Sequence, residues 1–225
     1  MHRRQFIRNT ILGTASAVIP SVVFGNNNFD ELPNVLIIGD SISIGYTPFV
    51  KQLLLGQALV AHNEGNAQHT GTGLEKIDSW LGNAKWDVIH FNWGLWDLAY
   101  RDSSSDAYGN RDKVNGKVTN SLEQYGENLH KLVDRLKETG SHLIWANTTP
   151  VPPGEVGRIS GDELIYNAVA DRIMLENSIP INDLYTYMIG HMDEYQVKYG
   201  DVHFTKEGYE YLALEVAANI KSALL

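Results

Sequence analysis

From Pro33 onward, short apolar runs alternate with longer stretches in which apolar residues return every three or four positions. Asn34 to Gly39 (NVLIIG) is a continuous, β-branched apolar run, the pattern of a strand buried on both faces. Pro48 to Gln57 places Phe49, Val50, Leu53 and Leu54 at helical spacing. Ala58 to His62 reads as a second strand, Leu74 to Leu81 as a helix with an apolar stripe, and Trp86 to Asn92 as a third strand. Ser121 to Thr139 is a long amphipathic helix stopped by Gly140. His142 to Asn147 is a fourth strand, Asp162 to Glu176 a helix, Ile179 to Asn182 a short strand and Thr205 to Leu225 a terminal helix. Two polar stretches interrupt the pattern. Residues 100–120, rich in Ser, Asp, Gly and Asn, read as a long surface loop of the kind that forms lids or binding loops. Thr148 to Arg158 is a second loop, rich in Pro and Gly.

Strands alternating with helices predict an α/β fold with right-handed crossovers and a mostly parallel sheet covered on both sides. Reacting groups in such sheets collect at the carboxyl ends of the strands. The polar clusters fall there: Asp40-Ser41 after the first strand, Gly94 to Asp97 after the third, and Asp201 to His203 in the last loop.

The 225 residues suit one domain, expected over residues 29–225. A net charge of −9 disfavours nucleic acid or an anionic membrane as partner. The absence of cysteine excludes disulfides, thiolate metal sites and a thiol nucleophile. The first 28 residues have a basic head with Arg3-Arg4-Gln5-Phe6-Ile7, an apolar middle and a small-residue exit ending in a polar linker. This pattern predicts an export signal of twin-arginine type and a periplasmic or extracellular protein. Cleavage near Gly25 would remove three arginines and no acid, taking the net charge from −9 to −12.

Two segments carry candidate chemistry. Gly39-Asp40-Ser41-Ile42-Ser43 follows a strand directly, so the serine sits at a sheet edge where a helix N-terminus can aim N–H groups at an oxyanion. The same residues also fit an ordinary helix cap. A serine hydroxyl needs a base, and His203 alone among the eight histidines combines a loop, a neighbouring carboxylate and a following helix near the C-terminus.

Together, GDSIS near the start and DVHFTKEGYEYLA near the end resemble the first and fifth sequence blocks of SGNH (GDSL-type) hydrolases, over about residues 34–225. The resemblance implies a flavodoxin-like three-layer α/β/α sandwich and metal-free, cofactor-free ester cleavage with Ser41 as nucleophile and His203 as base. The chain departs from the family pattern at three places. Trp96 stands where the third block has its asparagine, as an indole donor to the oxyanion or a wall of the pocket. Ala67 stands at the second-block glycine, leaving the backbone donor open among Asn66, Ala67 and Gln68. Gly200 replaces the orienting acid three residues before the histidine, while Asp201, two before it, points the same way on an extended segment and is the candidate acid, with a Ser–His dyad steadied by a backbone carbonyl as the alternative. The implied activity is removal of acetyl or another short acyl group from a carbohydrate. A small-molecule or polysaccharide ester is the expected substrate, and no membrane partner is expected once the signal is removed. A lipid esterase or acyl-thioesterase, and a non-catalytic binding module on the same fold, are the alternatives. Asp97 is expected to anchor its loop, the five tryptophans to be mostly core, and Asp102, Asp106, Arg111 and Asp112 to be solvated unless they reach a polar substrate.

Overall fold

A computed structural model describes residues 32–225; the expected export segment and linker, residues 1–28, lie outside the described residues. Along the chain run β1 (Asn34–Ile38), α1 (Ser41–Leu53), β2 (Leu59–His62), α2 (Thr70–Leu81) and β3 (Val88–Phe91). Two short strands, β4 (Tyr100–Arg101) and β5 (Lys117–Val118), follow, then α3 (Leu122–Lys137), β6 (His142–Ala146) and α4 (Asp162–Glu176). The chain closes with β7 (Ile181–Asn182), α5 (Leu184–Ile189), α6 (Met192–Tyr195) and α7 (Lys206–Ala223).

The main sheet is parallel, in the order β2-β1-β3-β6-β7. The chain steps one way from β1 to β2 and the other way from β3 through β6 to β7. Right-handed crossovers therefore send α1 to one face and α2, α3 and α4 to the other. The packing agrees: α1 lies along α7, while α2 packs on α3 and α3 on α4. Val35 to Ile38 and Val88 to Phe91 are buried, as strands covered on both faces must be. Phe91, Trp93 and Trp145 form an aromatic core beneath α3. The reversal of direction between β1 and β3 opens a crevice at their carboxyl ends.

Two regions depart from the sequence-based expectation. Helix α1 begins at Ser41 rather than Pro48, because the Asp40 carboxylate accepts from Ile42 N–H at 2.9 Å and caps the helix there. Pro48 lies inside the helix, although proline favours a helix start. Residues 100–120 are no bare loop: β4 and β5 pair antiparallel, and Arg101 bridges to Arg111. Two-residue strands are too short to leave a period in the sequence.

Candidate active site

Hydrogen bonds at the Gly39 backbone hold the turn after β1. The Gly39 N–H donates to Asn63 Oδ1 at 2.9 Å and its carbonyl accepts from Ala67 N–H at 3.0 Å. A Cβ at Gly39 would come within 2.7 Å of Ser43 Oγ, so only glycine fits this close approach. The loop after β2 is thereby latched to the first turn of α1. Ser41 opens that helix with its side chain in a cavity of about 240 Å³. Ser43 is buried instead, against Asp40 O and His62 Nε2, and does not compete for the cavity.

His203 arrives from the opposite end of the chain. Its carbonyl accepts from Val197 N–H, and Thr205 N–H donates to Tyr195 O, which fixes the backbone on both sides. His203 Nε2 lies 2.9 Å from Ser41 Oγ, and its Nδ1 lies 2.6 Å from Asp201 Oδ1. The same carboxylate oxygen accepts from His203 N–H at 3.1 Å, so Asp201 reaches the ring through a local turn rather than along an extended strand. Burial pushes the Asp201 carboxyl up. The hydrogen bonds from the His203 ring and N–H, with the charges of His203 and Lys198, outweigh it and hold the group below its ordinary range. Gly200 occupies the family's acid position with φ +74°, and a Cβ there would meet Gly154 O at 2.8 Å. No carboxylate side chain fits at that position.

The expected oxyanion donors fare unequally. Ala67 is buried and its N–H is already given to Gly39 O, which removes it as a donor; this corrects the expectation placed on it. Gln68 N–H is likewise engaged, by Asn66 Oδ1 at 2.8 Å. The N–H groups of Ser41 and Asn66 and the Asn66 Nδ2 have no partner among the described residues, and both side chains line the cavity. Trp96 is a wall of the cavity, with the Arg101 guanidinium 4.6 Å from its ring centre.

Asp97 does anchor its loop. Buried, it accepts from Thr70 N–H, from Thr70 Oγ1 at 2.6 Å and from Asn120 Nδ2 at 2.7 Å, and burial pushes its carboxyl up to about 6 against those hydrogen bonds. Trp80, Trp93 and Trp145 are core, as expected, and Trp86 is half-buried. Asp102 and Asp112 serve local turns, bonding Ser104 and Val114 N–H. Arg111 does reach the cavity, joined by Arg101 and Arg158, which the sequence reading did not single out. Among the described residues no cluster of three or more His, Cys, Asp or Glu is arranged to hold a metal ion, and no helix is long and apolar enough to cross a membrane.

The model of the GDSL-like lipase/acylhydrolase family matches residues 37–211. The chain belongs to this family of ester-hydrolysing enzymes. Among curated proteins none matches it by sequence. Solved structures share its fold at low identity. A lipase/acylhydrolase from Enterococcus faecalis aligns with TM-score 0.69 and 19% identity, over 85% of this chain and 96% of its own. The acetylxylan esterase Axe2 from Geobacillus stearothermophilus aligns with TM-score 0.64 and 16% identity, over 84% and 94%. A GDSL-like lipase from Bacteroides thetaiotaomicron aligns with TM-score 0.62 and 17% identity, over 84% and 88%. At these identities the likeness establishes the flavodoxin-like α/β/α fold of this GDSL-type hydrolase and nothing finer.

Proposed function

We propose that the protein is an exported serine esterase that removes short O-acyl groups, acetyl foremost, from a carbohydrate. The observation that carries this reading is the Asp201–His203–Ser41 chain of hydrogen bonds, at 2.6 and 2.9 Å, ending in a small cavity at the carboxyl edge of the sheet. His203 Nε2 takes the Ser41 proton as Oγ bonds to the acyl carbon, and the carbonyl π pair moves onto oxygen. The N–H groups of Ser41 and Asn66 and the side-chain amide of Asn66 are the free donors available to that oxyanion. Collapse breaks the bond to the alcohol, which leaves with the proton held on His203. Water, deprotonated by the same imidazole, then releases the acid and restores Ser41. Asp201 keeps the proton of the neutral ring on Nδ1 and offsets the charge of the imidazolium.

Cavity size and lining favour a short acyl group on a polar alcohol. About 240 Å³ walled by three arginines is poor accommodation for a lipid chain, which needs an apolar groove. Trp96 and Tyr108 offer aromatic faces of the kind sugars stack on. Two of the similar folds are acetylxylan esterases by description, which adds weight to acetyl on a glycan. The twin-arginine pattern at residues 3–7 supports an exported protein. The test is a chain-length series of p-nitrophenyl esters beside acetylated polysaccharides, with the Ser41→Ala protein as control. Acetate release from the polysaccharide, and a kcat/KM falling steeply beyond butyrate, are expected. A preference for octanoate or longer would move the reading to a lipid esterase.

A further inference from the structure

Three guanidiniums line one small cavity in a protein whose net charge is −9. Arg158 is almost wholly buried, with Nε given to Leu95 O at 2.6 Å and Nη1 to Glu155 at 2.9 Å. Arg111 gives Nε to Tyr108 O at 3.0 Å and Nη1 to the same Glu155 oxygen. Arg101 gives Nε to Thr119 Oγ1 at 2.9 Å and Nη1 to Gly109 O, and lies over Trp96. In each case Nε and Nη1 are spent on positioning, and Nη2 has no protein acceptor among the described residues.

Hydrogen bonds leave the three guanidiniums short of carboxylate partners. Glu155, fully buried, is the only carboxylate among the described residues bonded to any of the three, and it is shared by Arg111 and Arg158. Arg101 has none. Asp201 is committed to His203, Asp97 to Thr70 and Asn120, and Asp40, on the cavity wall, to Ile42 N–H, so Asp97 and Asp40 act on Arg101 and Arg158 through charge alone and not through a hydrogen bond. Collecting like charges at the rim of a half-enclosed space costs free energy unless an anion completes the set. Guanidiniums that each keep one free N–H₂ group suit a carboxylate, whose two oxygens can accept from different arginines.

Resting on the esterase reading above, we infer that the ester this site turns over carries a carboxylate, held by Arg101, Arg111 and Arg158 while Ser41 attacks the acyl carbon. An O-acylated acidic sugar has this chemistry. The arginines bind and orient; they take no part in bond making. The guanidiniums also draw the anion in from solution, so the rate on such esters carries a salt dependence that neutral esters lack.

The experiment compares matched ester pairs on the full protein. With the carboxylate on the alcohol half, p-acetoxybenzoate is set against p-acetoxybenzamide; with it on the acyl half, mono-p-nitrophenyl glutarate is set against p-nitrophenyl butyrate. A preference in kcat/KM of about tenfold or more for the anionic member is expected in at least one pair, the size of a charge-assisted contact, and it shrinks as salt is added. Arg101→Gln and Arg111→Gln each cut that preference severalfold, chiefly through KM; neither removes the only partner of Glu155. Equal kcat/KM within both pairs, with turnover still dependent on Ser41, overturns the inference and leaves the esterase standing. Failure of every ester, with Ser41 unreactive, overturns the esterase reading instead. The arginine site is then decided by calorimetric titration of the Ser41→Ala protein, where equal affinity for p-acetoxybenzoate and p-acetoxybenzamide refutes it.

Discussion

Replacing Asp201 by alanine removes the one carboxylate among the described residues bonded to His203 while leaving Ser41, the cavity wall and the backbone clamps at Val197 and Thr205 in place. Two quantities decide the size of the effect. With Nδ1 and Oδ1 2.6 Å apart, charge centres about 4 Å apart attract the imidazolium by roughly 4 kcal/mol at the effective dielectric of a protein rim. The His203 side chain is 41% exposed and that of Asp201 23%, so water screens part of that attraction. A remaining loss of about 3 to 4 kcal/mol in the transition state corresponds to a fall in kcat of roughly 10²- to 10³-fold. KM is expected to stay within about threefold, because Asp201 does not line the cavity. Steady-state kinetics on p-nitrophenyl acetate, with thermal melts to verify folding, reads both. A folded Asp201→Ala enzyme that keeps a third or more of wild-type kcat would refute the orienting role of Asp201. The next suspect would be Asp40, whose burial raises its carboxyl and whose Oδ2 is buried without a partner.

Asn66→Ala is expected to lower kcat about 10²-fold with little change in KM, as loss of one oxyanion donor does; an unchanged kcat would transfer that role to the backbone. Gly200→Ala forces a Cβ onto Gly154 O from a backbone at φ +74°, and should destabilise the fold by roughly 1–3 kcal/mol in urea melts; wild-type stability would mean that the loop yields freely. Asp97 holds its proton up to about pH 6 when folded, against an ordinary value of 3.8. The folded state therefore binds more protons between these values, and this contribution to stability is full below the lower one and lost as pH rises through the upper. The stability difference between wild type and Asp97→Asn should then move by ~2 kcal/mol in favour of the variant from pH 4 to pH 7. A constant difference across that range would contradict the perturbed carboxyl.

The parts of the fold that could be read from the chain are those whose burial is complete or periodic. NVLIIG and the stripe of α3 admit one reading each, and Thr205 caps α7 as its residue type suggests. Helix α1 was harder, because Ser-Ile-Ser-Ile-Gly-Tyr-Thr is a weak helical sequence whose start depends on one carboxylate, while Pro48 resembles a beginning. Ser41, Asp201 and His203 were legible because their neighbours in sequence determine their setting. The loss of Ala67 as a donor was not, since its N–H is claimed by a carbonyl 28 residues earlier in the chain. Nor was the arginine cluster: Arg101, Arg111 and Arg158 come from separate stretches of the chain with no common spacing, in a chain whose overall charge has the opposite sign. Their convergence exists only after β4 and β5 pair and Glu155 is buried between two of them.

The decisive measurement is covalent labelling of the folded protein with a fluorophosphonate, read by intact mass and peptide mapping. The account requires one adduct, on Ser41, absent in Ser41→Ala and formed far more slowly in His203→Ala. A folded protein that takes up no label, or takes it at another residue, would contradict it.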